Sequence, residues 1–525
     1  MPSKTTLTRW ITAALAALLV LTSMPLLASA SPLPKEEWPQ VEFSFWEFGD
    51  VYSFMDENQD DLADQMEAAG QIDLVNRPIT VSDYVDKTTL WAATDDLPDI
   101  WMFDGPGQKV IWDWAEQGLI RSIPTDLSEY PYVQEYLYGE NVPVVFERVK
   151  RDGIYWAMPR ANVQEPVTYT YGHSFMRKED YEALGSPAIP TTIDEWFDFC
   201  TLIQQKWPEK IVLGGVHVDN FFTEIDPDMN DKVWVYMEEH GMYVPAFFGR
   251  YERYKQFNRF WKAGLIDLDF FNSLDGSTLN DRFAAGQVVL YPQDPFPGHL
   301  ANDLNRIWLG KYPDIPASEA LMMLMPPTDA DGKHYKMPVG YWSENYISAK
   351  VTDEQFAAIM RLYNYLLSPE GLEMRRYGVA DKDFTKDGDA YVLTREMHAS
   401  GEMKALSECY PSGTFARSWA TWDEEFPFVD PSIDPGLLAF GQQYLEATKD
   451  YFERPAIYTE LLGLIQTERS TEFVINSGKE DLVNLVQADD YDATWNAMMQ
   501  KYLGLGLLEM AQEVNDLGRA AGYID

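Results

Sequence analysis

Aromatic and acidic side chains occur together just after predicted strands in this sequence of 525 residues. Trp46 and Glu47 lie at the end of the first predicted strand, Asp104 follows the third, and Asp294 follows a later strand over residues 288–291. A flat aromatic ring can cover the C–H face of a sugar, and a carboxylate accepts strong hydrogen bonds from neighbouring hydroxyl groups. The pattern therefore supplies the two kinds of side chain that binding of a polyhydroxylated ligand requires.

These side chains also have simpler structural interpretations. In the strand before Asp104, Trp101 and Phe103 alternate with aliphatic residues, so one face of that strand is expected to belong to a hydrophobic core. Asp294 lies between prolines at positions 292 and 295, where an aspartate often caps a turn. Aromatic residues in such positions pack in cores more often than they contact ligands, so no single one of them establishes a site.

An alternation of strands and helices must position these residues. The first part of the chain has a strand over 41–46, a polar helix that ends near Gly70, a strand over 72–75, a helix over 81–93 and a strand over 99–103. This order is typical of a parallel sheet covered by helices. Ligands of such sheets bind beyond the carboxyl ends of the strands, which is where the aromatic and acidic residues occur.

The alternation continues through the rest of the chain. The predicted elements are helices over 194–207 and 251–263, strands over 211–218 and 288–291, and C-terminal helices over 437–451, 455–473, 491–502 and 507–521. No low-complexity linker separates them, so short crossovers must join any two domains. The sequence therefore predicts two α/β lobes, with the late helices packed across one of them.

The composition indicates a folded, strongly acidic protein. Asp and Glu number 84 against 41 Lys and Arg, which gives a net charge of −43, and aromatic residues make up 14% of the chain. Disordered chains are poor in aromatic residues. Nucleic acid and anionic membrane surfaces would be repelled by this charge, so neither is expected as a partner.

The first 30 residues have the pattern of a secretory signal peptide. Lys4 and Arg9 precede an apolar stretch over 11–21, and small residues at 28–30 predict cleavage after Ala30. The apolar stretch is too short to span a bilayer comfortably. The signal peptide predicts an exported protein, periplasmic or on the extracellular face of the membrane. No cysteine follows the apolar stretch, so we expect no lipid anchor attached at that place.

The two cysteines leave their pairing open. Cys200 and Cys409 are compatible with a disulfide in an exported protein and equally with two separate buried thiols. The sequence contains no CxxC motif and no Cys/His set with the spacing of zinc ligands. No metal site and no cofactor are therefore expected.

One acidic segment resembles a calcium-binding loop only superficially. In residues 56–67, Asp61 occupies the sixth position, where an EF-hand requires glycine, and the surrounding residues predict a helix. A solvated helix face is the better interpretation. Two acidic turns, at 329–332 and 381–389, leave weak calcium binding open.

A series of short segments occurs in a characteristic order along almost the whole chain. They lie at residues 97–100, 114–120, 152–159, 176–185, 190–196, 261–267, 283–287, 340–349, 376–378 and 473–478. Together they resemble the family 1 extracellular solute-binding proteins, the carbohydrate-importer group that includes maltodextrin-type binders. Each segment is a weak signal, whereas the ordered set is specific. Met176, at a position that is often aromatic in the family, and the missing lipid-attachment cysteine are departures from its pattern.

The resemblance implies an α/β, two-lobed, periplasmic-binding-protein-like fold of type II. Its parallel-rich sheets would be covered by helices, and the ligand would lie in a cleft between the lobes. The chain would cross between lobes near residues 168–172, 338–342 and 405–410. The N-terminal lobe would then comprise residues 31–168 plus 342–405, and the C-terminal lobe 172–338 plus 410–525.

The implied crossovers extend the set of candidate ligand-binding residues. The additional residues are Tyr169, Tyr171 and His173 at the first crossover, Trp342, Glu344 and Asn345 at the second, and Trp419 and Trp422 after the third. The resemblance implies a monomer that binds a sugar or oligosaccharide and passes it to the membrane subunits of an ABC importer. No residue is expected to be catalytic.

Two other functions remain open at this point. A secreted glycoside hydrolase or lyase would also need carboxylates and aromatic residues, although 84 acidic residues produce carboxylate pairs by chance. The sequence contains neither G-x-S-x-G nor H-E-x-x-H, and its six histidines show no motif spacing. A peptide-binding protein of similar shape is the second alternative, and the aromatic residues favour a sugar over a peptide.

Overall fold

The fold is described by a computed structural model of the chain. The described residues are 34–47, 60–80, 83–103, 109–140, 142–161, 167–169, 173–214, 218, 221–222, 234–267, 281–293, 304, 306–328, 332, 335–339, 341–388, 390–397, 403–404, 406–410, 412, 419–420, 435–448, 452–453, 462–463, 465, 467, 469–470, 473 and 480–524. The expected signal peptide, residues 1–30, lies outside them.

The β-strands are short, and the two largest sheets contain nine of the twenty described strands. In chain order they are β1 (Gln40–Ser44), β2 (Trp46–Glu47), β3 (Asp73–Asn76), β4 (Ile79–Thr80), β5 (Ile100–Phe103), β6 (Lys150–Arg151), β7 (Ile154–Tyr155), β8 (Met158–Ala161), β9 (Val167–Tyr169), β10 (Ser174–Arg177), β11 (Ile211–Leu213), β12 (Trp234–Met237), β13 (Met242–Pro245), β14 (Val288–Pro292), β15 (Leu321–Leu324), β16 (Tyr335–Val339), β17 (Tyr341–Ile347), β18 (Phe384–Asp387), β19 (Ala390–Leu393) and β20 (Phe452–Glu453).

Helices cover these sheets and make up most of the C-terminal part. In chain order they are α1 (Asp61–Gly70), α2 (Tyr84–Ala93), α3 (Lys109–Glu116), α4 (Pro131–Tyr138), α5 (Lys178–Ala183), α6 (Ile193–Lys206), α7 (Tyr251–Lys262), α8 (Arg306–Lys311), α9 (Ala317–Ala320), α10 (Asp353–Leu366), α11 (Pro369–Tyr377), α12 (Leu406–Cys409), α13 (Pro435–Thr448), α14 (Glu480–Val486), α15 (Tyr491–Gly504) and α16 (Leu507–Ala520).

The first sheet has the strand order β3-β1-β5-β17-β8. Strand β1 is parallel to β3 and β5, whereas β17 runs antiparallel to β5 and β8. In the register between β5 and β17, Phe103 lies opposite Glu344. The carboxyl ends of β1, β5 and β8 therefore meet at one edge of the sheet, and β17 begins at that same edge.

Hydrophobic packing on both faces of the first sheet defines the first lobe. All four residues of β5 are buried, as expected for a strand covered on both sides. Helices α1 and α10 pack together on one side, where Gly70 permits their close approach. A Cβ atom at Gly70 would lie only 3.1 Å from the Cβ atom of Leu362 in α10.

The second sheet has the order β11-β14-β10-β15. Strand β11 is parallel to β14, and β10 is antiparallel to both β14 and β15. Alternation along β10 directs Phe175 into one hydrophobic core and Met176 into another. Helices α14 to α16 and the hairpin β12–β13 form a third cluster, which meets the Met176 core at Leu482. Together these elements form the second lobe.

Capping residues explain where several helices begin. Thr192 and Glu195 form a capping box at the start of α6, and Thr352 and Gln355 form one at the start of α10. In each box the threonine side chain accepts a backbone N–H, and the glutamate or glutamine side chain accepts the N–H of the threonine.

A narrow ribbon joins the two sheets. Strand β9 carries the chain from the first lobe towards the second, β16 carries it back, and the two pair antiparallel with Tyr169 opposite Met337. Strand β20 adds to the other side of β16, with Phe452 opposite Tyr335. Backbone pairing therefore holds these three segments side by side between the lobes.

The last passage between the lobes lies further along the chain than expected. Leu406, Tyr410 and Trp419 pack in the core of the first lobe, whereas Leu437 and Tyr444 pack in the second. The first lobe thus continues to Ala420 instead of ending near residue 405. Tyr410 and Trp419 pack in the first core, so the stretch that contains them belongs to the first lobe.

The strands predicted over 41–46, 72–75, 99–103 and 288–291 are confirmed, as are the helices over 194–207, 251–263, 491–502 and 507–521. The expected α/β fold is confirmed, and its sheets contain both parallel and antiparallel strand pairs. Strand β11 ends at Leu213, well before residue 218. The helix predicted over 455–473 lies mostly outside the described residues.

The cysteines do not pair. Cys200 is buried in the second lobe, Cys409 packs against the first core, and both are free. Burial raises the pKa of the Cys200 thiol, which therefore stays protonated. Among the described helices, none combines the length and apolar character needed to cross a bilayer.

Candidate ligand-binding site

Trp46 lies at the carboxyl edge of the first sheet, immediately after β1. Its indole N–H donates a 3.0 Å hydrogen bond to the Met102 carbonyl oxygen, and its ring centroid lies 4.4 Å from that of Tyr84. Only 2% of Trp46 is exposed. The residue therefore forms the inner layer of this edge, with its orientation fixed by the neighbouring strand β5.

Glu344 lies at the same edge, opposite the last residue of β5. Its Oε1 atom accepts a 2.7 Å hydrogen bond from the Tyr346 hydroxyl, two residues along β17 on the same face. The Tyr346 ring stacks on Trp101, with 5.7 Å between centroids. Both Glu344 and Tyr346 are fully buried. A buried carboxylate that accepts a hydrogen bond is held in one orientation.

Arg160 was not among the sequence candidates, yet it lies at the centre of this edge. It is 2% exposed, and its guanidinium donates a 2.5 Å hydrogen bond to the Ser343 hydroxyl on the paired strand. The same nitrogen approaches the Met102 sulfur at 3.4 Å. Its only sequence signal was its position directly after the family-like segment 152–159.

Asn345 and Trp419 contact each other inside the first lobe. The Asn345 amide donates to the Trp419 carbonyl oxygen at 2.8 Å and to the Tyr363 hydroxyl oxygen at 3.0 Å. The Trp419 ring packs against Phe45 at 5.0 Å and against Phe43 at 5.8 Å. Burial raises the pKa of Tyr363, so its phenol stays protonated.

The second sheet presents a smaller polar group at the edge from which β10 begins. The Gln293 backbone N–H donates a 2.9 Å hydrogen bond to the His173 carbonyl oxygen, which places the start of β10 beside the end of β14. The His173 ring meets Tyr444 edge to face at 5.2 Å. Tyr444 was also missed by the sequence analysis, because helix α13 carries no motif.

The two edges lie at the two ends of the ribbon. Strand β9 leads into β10 just after His173, and β16 leads into β17 just before Ser343. The predicted residues Trp46, Glu344, Asn345 and Trp419 are therefore gathered at the first edge, and His173 at the second. All five are buried, which places them behind the surface that a ligand would contact.

The remaining candidates are located less completely. Glu47, Tyr169 and Trp342 belong to β2, β9 and β17 by their backbone. Four candidates lie outside the described residues, namely Asp104, Tyr171, Asp294 and Trp422. In the sequence, Asp104 directly follows Phe103, the last residue of β5, and Asp294 directly follows Gln293. Trp342 lies two positions before Glu344 at the start of β17.

The edge carries hydrogen-bonding groups of several kinds, including the Glu344 carboxylate, the Asn345 amide and the Arg160 guanidinium. In the part of the chain that the structure describes, no three His, Cys, Asp or Glu side chains gather as metal ligands would. Residues 60–67 of the superficial calcium-loop match form a helix cap and α1, with Asp60 accepting hydrogen bonds from the Leu62 and Ala63 amides. Their backbone is therefore that of a helix.

Neither a family model nor a curated protein sequence matches this chain. Solved structures do match it at full length. An alginate-binding protein, AlgQ2, superposes with a TM-score of 0.64 at 15% identity and covers 92% of this chain and 98% of its own. An EF-hand mutant of the S. pneumoniae ABC-transporter substrate-binding protein FusA, in complex with fructo-nystose, gives 0.63 at 14% identity, with 92% and 99% covered.

A third match is the N-glycan transport solute-binding protein NgtS of Streptococcus pneumoniae in complex with Man5GlcNAc. Its TM-score is 0.55 at 16% identity, with 92% of this chain and 99% of that chain covered. Identities this low establish the fold and leave the ligand open. The two sheets, the connecting ribbon and these superpositions lead to one conclusion: the chain has the two-lobed α/β fold of the solute-binding proteins of ABC transporters.

Proposed function

We propose that the protein binds a sugar or oligosaccharide between its two lobes and delivers it to an ABC importer. The observation that carries the proposal is the placement of the two polar edges at opposite ends of the ribbon. Ligands of open α/β sheets bind beyond the carboxyl ends of the strands. A bend of the ribbon would bring the Trp46–Glu344 edge and the His173–Gln293 edge together around a ligand.

The composition of the first edge supports a sugar as the ligand. Its inner layer fixes two tryptophans, a carboxylate, an amide and a guanidinium by hydrogen bonds and ring contacts. These buried residues would position the residues that contact the ligand directly. Trp342, Asp104 and Glu47 are the proposed ligand-contacting residues. The solved structures of the same fold include complexes with fructo-nystose and Man5GlcNAc, which favours a carrier over a hydrolase.

The remaining parts of the proposal concern where the protein acts. Residues 1–30 would direct export, and the mature protein would act outside the cytoplasmic membrane as a monomer that docks on the importer. The cysteine-free end of the signal sequence supports release without a lipid anchor of that kind. Calibrated gel filtration of the mature chain tests the oligomeric state.

A saccharide panel tests the binding function directly. Kestose, alginate oligosaccharides and Man5GlcNAc would be added to the purified mature protein, with tripeptides and pentapeptides as controls. A ligand that binds only the folded state at about 100 times its Kd stabilises the fold by about 2.7 kcal/mol. We expect at least one saccharide to raise the melting temperature and to reduce the radius of gyration in solution scattering, while the peptides do neither.

Two results would contradict the proposal. Stabilisation by the peptides and by none of the saccharides would indicate a peptide carrier. The appearance of new reducing ends after incubation with the stabilising saccharide would indicate a glycoside hydrolase, because a carrier leaves its ligand chemically unchanged.

A further inference from the structure

The last passage between the lobes is attached to the first lobe by buried polar contacts. We name its described residues, 406–410, 412 and 419–420, the anchored segment. At its C-terminal end the Asn345 amide donates to the Trp419 carbonyl oxygen at 2.8 Å. Both residues are fully buried. A hydrogen bond between groups with no access to water is costly to leave unmade.

Ring contacts reinforce this attachment. The Trp419 indole packs against Phe45 and Phe43 of the first sheet and lies 5.8 Å from Tyr363 of α10. Tyr363 in turn accepts the second hydrogen bond of Asn345 at 3.0 Å. Because the Phe45 contact is the shorter, Trp419 lies nearer the carboxyl end of β1, where the candidate site is.

Two carboxylates attach the earlier part of the anchored segment. Asp60 accepts hydrogen bonds from the backbone N–H of Ser412, at 2.9 Å, and from its hydroxyl group. Asp383 accepts a 2.8 Å hydrogen bond from the Tyr410 hydroxyl, and both of these residues are buried. The three attachments come from the cap residue before α1, the turn before β18, and β17, which are three separate parts of the first lobe.

The next described residues after Ala420 begin at 435, and they contact the second lobe. Phe440 packs on Phe175 at 5.4 Å, and Tyr444 packs on His173 at 5.2 Å. After α13, strand β20 pairs with β16 of the ribbon. The passage therefore has one end fixed in the first core and the other fixed both in the second core and at the ribbon.

We propose that Asn345 is a positioning residue, which acts through Trp419 to anchor the last passage and so restricts how the two lobes can orient. This inference rests on the proposed function, in which the lobes move about the ribbon. With the anchor in place, the described chain is attached to the first core as far as Ala420. Without it, the nearest remaining polar attachment described is that of Ser412 to Asp60, and the lobes sample more orientations. Because the cost of a connection rises only slowly with its length, the fold survives the change.

The sequence analysis treated Asn345 and Trp419 as ligand contacts. Their complete burial and mutual hydrogen bond indicate a different contribution. A ligand contact would affect only the bound state, whereas an anchor affects the ligand-free ensemble as well.

The test therefore uses the ligand-free protein. Spin labels would be placed at Leu90→Cys in the first lobe and Leu505→Cys in the second, in a Cys409→Ser background; Leu90 and Leu505 are both 60% exposed. The distribution of inter-label distances would be measured for this protein and for the same protein carrying Asn345→Leu. We expect Asn345→Leu to broaden the distribution about two-fold, because the substitution keeps the volume but removes both donors.

Asn258→Leu is the matched control. Its amide donates to the carbonyl oxygens of Leu485, Val486 and Ala488 within the second lobe, so it loses similar buried bonds far from the anchored segment. We expect it to lower the melting temperature without broadening the distribution. Equal broadening in both variants, or no broadening in a folded Asn345→Leu protein, would overturn the inference.

A milder variant covers the possibility that Asn345→Leu does not fold. Tyr363→Phe removes one acceptor of the Asn345 amide and leaves the bond to Trp419, so a smaller broadening is expected, with faster hydrogen exchange of the Ser412 amide. A distribution and exchange rate equal to those of the parent would overturn the inference as well. Because no ligand is involved, a negative saccharide panel would reject the proposed function without deciding this question.

Discussion

The two lobes differ in how their hydrophobic cores are organised and in which polar groups they bury. The first lobe has one continuous core around its sheet, and its buried polar contacts at the edge join amides, hydroxyls, a carboxylate and the Arg160 guanidinium. The second lobe divides its core into three clusters and buries an ion pair, Arg177 with Asp180, which Lys210 extends at 3.1 Å. The first lobe therefore packs around a single core, whereas the second lobe packs around three adjoining hydrophobic clusters.

The buried ion pair also shapes the backbone around it. A Cβ atom at Gly286 would lie 2.1 Å from the Arg177 guanidinium, and Gly286 has a φ of +73°. Glycine is thus required there both by the close approach and by the left-handed backbone conformation. In the second lobe, the absence of a side chain at Gly286 leaves room for the Arg177 guanidinium. Among the described glycines, none is needed in this way around Asn345 in the first lobe.

Removal of one large ring from each lobe should produce the largest effect and test whether the lobes are separate units. Trp419→Ala in the first lobe and Trp196→Ala in the second each remove a fully buried ring. Each should cost about 3–5 kcal/mol of unfolding free energy. In calorimetry we expect each variant to lower only the transition of its own lobe, and Trp→Phe at either site to cost less. Equal shifts of a single transition in both variants would show that the lobes unfold together.

The ion pair of the second lobe should be the next most sensitive feature. Asp180→Asn leaves Arg177, which is 6% exposed, without its carboxylate and should cost about 3 kcal/mol. Denaturant unfolding of the second lobe measures the loss. The double variant Arg177→Met/Asp180→Leu should recover most of it, since it removes both charges. A loss under about 1 kcal/mol in Asp180→Asn, the range of a neutral hydrogen bond, would remove this contrast with the first lobe.

Trp342→Ala tests the assignment of the ligand platform to the first lobe. Loss of an aromatic contact worth about 2 kcal/mol corresponds to about a 30-fold weaker Kd. Isothermal titration with the saccharide that binds best measures it. Trp207→Ala is the control, because Trp207 lies just before β11 begins, at the opposite edge of the second sheet. An unchanged Kd in Trp342→Ala, or an equal loss in Trp207→Ala, would place the ligand elsewhere.

Two helix caps provide a smaller comparison between the lobes. Asp60 caps α1 and also attaches Ser412, whereas Asp490 caps α15 alone. Asp60→Ala should therefore cost about 2 kcal/mol and Asp490→Ala about 1 kcal/mol. Urea unfolding of the two variants gives the difference. Equal costs would mean that the Ser412 attachment contributes nothing to stability.

The smallest effect should depend on pH. Hydrogen bonds from Thr191, and then from the Thr192 amide, lower the pKa of Glu195 from 4.5 to about 2. Because the folded-state pKa is the lower one, this carboxylate stabilises α6 above pH 4.5, and its contribution disappears as the pH falls towards 2. Glu195→Gln should lower the melting temperature by about 2 °C at pH 7 and by less at pH 3. A difference that does not depend on pH would indicate that the charge of Glu195 is irrelevant.

Local patterns predicted the elements well and the tertiary partners poorly. The alternation over 41–46 and the helix over 194–207 depend on neighbouring residues, and both appear in the structure. The pairing of β17 with β5 could not be predicted, because it joins segments more than 200 residues apart. Pairing of this kind leaves no periodic signal in either strand.

The candidate site shows the same limit. The predicted residues Trp46, Glu344 and Asn345 do gather at one edge, as the position after a strand or at a crossover suggested. Their burial could not be foreseen, since it depends on Trp419 returning to the first core from 74 residues beyond Asn345. Arg160 was missed because an isolated arginine after a proline carries no recognisable pattern.

The pairing of β9 with β16 has a consequence for chain-length variation. Val167 lies opposite Val339 and Tyr169 opposite Met337, so the backbone register assigns successive residues to alternate faces of the ribbon. Deletion of one residue from either strand would exchange those faces along its whole length, whereas removal of two would preserve them. Homologous chains should therefore tolerate insertions and deletions in even steps at this point.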